Sequence, residues 1–80
     1  MQEPYRYRLV QYRGGQISSH SADLHLLTAP GVGRRLIMYR GRSNRRIITS
    51  PVLRVYQDEH TWGTFFETRN SLYLLQVDPD

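Results

Sequence analysis

From Tyr5 to Arg13 the side chains alternate, with Tyr5, Tyr7 and Leu9 on one face and Arg6, Arg8, Val10 and Tyr12 on the other, and the stretch stops at Gly14-Gly15. A period of two that ends in a two-glycine step reads as a strand turning into a hairpin. The second half of the chain has the same character. Arg34 to Arg40 and Arg45 to Ser50 are strand candidates around a four-residue turn, Gly41-Arg42-Ser43-Asn44. Pro51 cannot donate to a ladder and so breaks or bends the chain. Val52 to Gln57 then continues, with Leu53 and Val55 opposite to Val52, Arg54 and Tyr56. After a polar turn at Asp58 to Thr61, two more strands are expected over Trp62 to Arg69 and Leu72 to Val77, joined at Asn70-Ser71. In the last, Leu72, Leu74 and Gln76 share one face and Tyr73, Leu75 and Val77 the other. Both faces are mainly apolar, which suits a strand covered on both sides.

The stretch between the first hairpin and residue 34 is less regular. Gln16 to Ser19 could begin a return strand, but Ser18, Ser19, His20 and Ser21 favour turns and caps and interrupt it. Leu24 and Leu27 fit a turn of helix while Leu24 and Leu26 fit a strand; the reading leans to one short helix near 21–28, followed by a loop at 29–33. The expected fold is all-β and mainly antiparallel: a small SH3-like barrel or a strongly bent sheet of five to six strands, with an OB-like barrel as second choice. Residues 1–80 would form one domain, with Met1 to Pro4 and Asp78 to Asp80 as loose ends.

A chain of 80 residues without cysteine must hold itself together by its core alone. The longest uninterrupted aliphatic run is Leu36 to Met38, and Met1 to Arg8 has no apolar signal region. The expectation is a soluble, cytoplasmic protein with no membrane partner.

Charge is divided unevenly. Residues 1–23 carry +1, residues 24–57 carry +7 with no acid among them, and residues 58–80 carry −4. All eleven basic residues are arginine, whose planar fork suits phosphate and carboxylate. Codon bias could remove lysine everywhere, but it would not cluster arginines. Six of them, Arg34, Arg35, Arg40, Arg42, Arg45 and Arg46, fall within thirteen positions on the expected hairpin. Such a concentration of fixed charge points to a negative partner. Tyr39 and Tyr56 lie beside Arg40 and Arg54, an interleaving that single-stranded nucleic acid can use, although tyrosine is also an ordinary strand residue. The candidate contact set is therefore Arg34, Arg35, Tyr39, Arg40, Arg42, Arg45, Arg46, Arg54 and Tyr56.

The leading functional reading is a non-enzymatic binding protein whose arginine hairpin engages RNA or DNA, single-stranded or structured, mainly through the backbone. The alternative is a small inhibitor or adaptor that docks on an acidic protein; the acidic final third could also face the basic face of a second copy, giving a homodimer. A third reading is a metal-independent ribonuclease using Glu59, His60 or Glu67 with the arginines. Little chemistry supports catalysis. His20 and His25 share neither a helix nor a strand face and no cysteine accompanies them, so neither a zinc site nor a cofactor is expected. Trp62, before Gly63 and after a polar turn, is expected to close the barrel, although an exposed tryptophan there would be a plausible contact residue.

Overall fold

The computed structural model describes residues 5–60 and 62–78. It contains seven strands: β1 (Tyr7–Arg13), β2 (Gln16–Leu26), β3 (Arg35–Arg40), β4 (Arg46–Pro51), β5 (Arg54–Asp58), β6 (Gly63–Glu67) and β7 (Leu72–Val77). All pairings are antiparallel, in one sheet of order β4-β3-β2-β1-β7-β6-β5, curled into a half-barrel. The all-β, strongly bent sheet read from the sequence is thus met, with seven strands where five or six were expected.

The largest correction concerns residues 16–28. No helix occurs among the described residues, and β2 runs unbroken through the serines to Leu26. Two bulges make this feasible. Between Gln11 and Tyr12 the partner strand advances from Ser19 to Ile17, and the hydroxyl of the extra residue, Ser18, donates to the Gln11 carbonyl at 3.2 Å. Between Tyr7 and Leu9 the partner jumps from Leu24 to Ser21, and Asp23 takes the left-handed conformation, φ 58°. A short polar side chain tolerates that conformation, and a bulge re-aims the strand beyond it. Leu24 and Leu26 then pack inward, while Leu27 is exposed. The period of two wins over the period of 3.6 because β1 and β3 are there to pair with it.

The hairpins form where the glycines and polar turns placed them. Gly14 and Gly15 both have positive φ, 58° and 78°, as a two-residue turn of the I′ kind requires. The 41–44 turn is closed by the Arg40 N–H donating to the Arg45 carbonyl at 2.8 Å, with Asn44 left-handed at φ 59°. The strands are shorter than expected at several ends: Arg34 and Arg45 fall outside β3 and β4, and β6 begins at Gly63.

Residues 51–53 explain the curl. Pro51 is the last residue of β4 and does not end the pairing: the Val52 N–H donates to the Arg34 carbonyl, and its own carbonyl accepts from Gly33, both at 2.8 Å. One residue later the Leu53 N–H donates to the Glu67 carbonyl at 2.7 Å. The chain therefore steps from one end of the sheet order to the other within two residues, which brings the first and last strands to one corner. Past that corner β4 pairs only with β3 and β5 only with β6.

Inside the curl lies one apolar cluster, Leu9, Leu24, Leu36, Met38, Val52, Phe66 and Leu75, with Tyr7, Leu26, Ile47 and Tyr73 against it. The two-faced reading of β7 holds: Leu75 is in this cluster, whereas Leu74 is buried on the other face, opposite Val10 and Phe65. Gly63 lies close beneath Leu74, where a side chain would force its neighbours to shift. A Cβ there would stand 2.7 Å from Leu74 Cδ1 and 3.1 Å from the Leu75 carbonyl oxygen.

A third irregularity sits in β4. Arg35 pairs with Pro51 but Ile37 pairs with Ile48, so β4 carries an extra residue opposite Leu36. The buried Thr49 hydroxyl takes over the missing ladder position, accepting from the Leu36 N–H at 3.0 Å and donating to the Ser50 carbonyl at 2.8 Å. Thr49→Val keeps the shape and strands that N–H, so it should cost about 1–3 kcal/mol in urea unfolding. A change of a few tenths would show that water reaches Leu36.

Candidate functional site

The structure divides the nine candidate residues into two places. Seven belong to the β3–β4 hairpin. Arg40, Arg42 and Arg45 surround its tip and Arg46 starts β4; Arg34 and Arg35 stand at its base beside the 31–34 turn. All six are exposed. Arg35 uses one guanidinium N–H to bond the Thr49 carbonyl at 3.1 Å. Tyr39 is half-buried and stacks on His25 of β2, ring centroids 5.0 Å apart and planes 24° apart; in the next strand Arg46 is its register partner. The order His25, Tyr39, Arg46 across three adjacent strands is a small aromatic and cationic platform on the outer face.

Asp23 is the residue that the sequence reading missed here. Its bulge turns the carboxylate toward the hairpin, 3.7 Å from Arg6 and 4.0 Å from Arg42, while its backbone carbonyl accepts from the Gly41 N–H at 3.1 Å. The tip is thereby moored to β2 by a backbone bond. The ion pair itself is weak, because the Arg42 side chain is 93% exposed and both distances are long.

Arg54 and Tyr56 lie elsewhere, on the outer face of β5. Arg54 is in register with Glu67, and Tyr56 with Phe65, against whose ring it tilts at 34° with centroids 5.8 Å apart. Tyr56 and Phe65 border an open groove of about 640 Å³ where the Gly14-Gly15 turn and the 68–71 turn come together. Tyr12, Tyr56, Phe65 and Leu72 supply its apolar wall, and Glu67, Arg69 and Asn70 its polar positions. Arg13 reaches the same rim, its Nε donating to the Ser71 hydroxyl at 3.4 Å. Tyr12 shares the outer face of β1 with Val10, an alternation visible in the sequence. That β1 pairs with β7, sixty residues on, was not visible, and this pairing is what assembles the groove.

Other expectations change as well. Trp62 is 89% exposed and left-handed at φ 56°, so it closes no barrel; it stands out from the β5–β6 turn. Glu59 and His60 lie in that same turn, with the His60 N–H bonded to Asp58, whereas Glu67 is at the far end of β6. These three side chains do not converge. His20 is an exposed residue of β2, apart from His25. Thr61, Met1 to Pro4 and the last two residues lie outside the described residues; Asp78 is tied down, its N–H donating to the Arg6 carbonyl at 2.8 Å. No helix among the described residues is long and apolar enough to cross a membrane. Comparison with protein-family models, with curated proteins and with solved structures finds no match.

Proposed function

We propose that the protein binds the phosphate backbone of RNA or DNA through the β3–β4 hairpin, with little reading of sequence. One observation carries this: six arginines on one hairpin are exposed, and among the described residues Arg42 alone of them has a carboxylate within 4.0 Å. Their mutual repulsion is left for a polyanion to relieve. The stacked His25 and Tyr39 beside Arg46 favour nucleic acid over an acidic protein surface, since an aromatic platform gains from a base and not from carboxylates.

Binding of labelled single- and double-stranded oligonucleotides, measured from 50 to 200 mM salt, tests the reading. With about five arginines on phosphates, affinity should fall by roughly two to three orders of magnitude across that range. Absent or salt-independent binding at the low end would dismiss it, and co-purification with a nuclease-resistant protein partner would favour docking on an acidic protein.

A further inference from the structure

The second arginine-aromatic locus has a different character from the hairpin. Its wall offers three aromatic side chains on one face, Tyr12, Phe65 and Tyr56, on three different strands. Its one acid, Glu67, sits among them, while Arg69 and Arg13 occupy the rim at the two turns and Arg54 stands across from Glu67 in register. A phosphate would be repelled by the carboxylate within and attracted by the guanidinium groups outside. A base has the opposite preference: every base has a face that stacks on an aromatic ring, and cytosine or adenine carries an amino group that a carboxylate can accept. The volume, about 640 Å³, is within the range of small-ligand clefts.

We infer that this groove is a nucleobase site, which takes an unpaired base against the aromatic wall of Tyr12, Phe65 and Tyr56 while Arg69 and Arg13 hold its phosphates. The inference rests on the nucleic-acid reading of the hairpin and narrows the ligand to a single strand, because a base within a duplex cannot present its face to the groove. The described residues span 31 × 25 × 21 Å. A strand that engages it would occupy few nucleotides, at the scale of the roughly four to sixteen typical of one small β-fold.

The test compares two probes of equal length, a labelled single-stranded 15-mer of cytidine and a 15-mer whose sugars carry no bases. The parent protein should bind the cytidine strand about tenfold or more tightly than the abasic one, the size of one to a few stacked bases. Tyr56→Ala should remove most of that difference and leave the abasic affinity unchanged; Tyr56→Phe, which keeps the ring, should restore it. Tyr56 is 43% exposed, and thermal unfolding of each variant checks that the fold survives. Equal parent affinity for the two probes would overturn the groove and leave the hairpin reading standing. The same holds for a base preference that Tyr56→Ala does not reduce, or for a loss shared by both probes. Binding to neither probe at 50 mM salt would remove the hairpin reading and this one together.

Discussion

Truncating Phe66 to alanine is expected to remove about 3–5 kcal/mol of stability. Phe66, the penultimate residue of β6, is 2% exposed, and its ring is the largest fully buried side chain in the inward cluster. That cluster draws on β1, β2, β3, β6, β7 and the 51–53 corner, so a cavity at Phe66 is felt by most of the sheet. The chain has no disulfide to restrain its unfolded state. Against the roughly 5–15 kcal/mol total of ordinary domains the loss is large, and the melting temperature should fall by ~12 °C or more. Thermal unfolding followed by far-ultraviolet circular dichroism measures this. A loss below about 1 kcal/mol would mean that the inward cluster is not what holds the sheet curled.

The second large effect is on binding. Replacing Arg42, Arg45 and Arg46 together by serine should flatten the salt dependence of oligonucleotide affinity, because each phosphate contact contributes about 0.9 to the logarithmic slope. With three of about five contacts gone, the fall between 50 and 200 mM salt should shrink from several hundredfold to about tenfold. The hairpin itself should persist. Its closing bonds, Arg40 N–H to the Arg45 carbonyl and Gly41 N–H to the Asp23 carbonyl, are made by backbone groups that the substitutions leave in place. An unchanged slope would move the contact face away from the hairpin tip.

What could be read from the chain was local. The Gly14-Gly15 turn, the 41–44 turn and the hairpin carrying the arginines depend on neighbouring residues, and composition marks them. The course of β2 depends on partners at a distance: alone, Ser18 to Ser21 reads as a break, yet Ser19 and Ser21 take ladder positions against β1, Ser18 and Asp23 absorb the register shifts as bulges, and β3 takes up the pairing at Leu24 to Leu26. The position of Asp23 beneath Arg42 follows from one of those bulges, so the acid-free stretch of sequence is not acid-free in space. The place of Trp62 after a polar turn fits a barrel-closing ring as well as an exposed one, and only the left-handed backbone at that position turns the ring outward. Tyr56 was marked as a contact residue, but its groove needs Tyr12 and Leu72, brought together by the pairing of β1 with β7.

The corner at Pro51 to Leu53 has one more result. Because the chain passes there from one end of the sheet to the other without a ladder between β4 and β5, each of these strands keeps a row of backbone N–H and C=O groups open along its outer side. Such rows recruit strands from other molecules and seed aggregation unless something discourages them. Here Arg46 opens β4 and Pro51 ends it, while Arg54 opens β5 and Asp58 ends it. The arginine and the proline that bound β4 thus have a second physical bearing: a charged side chain at one end of an open edge and a residue without an N–H at the other disfavour pairing with a strand of another molecule.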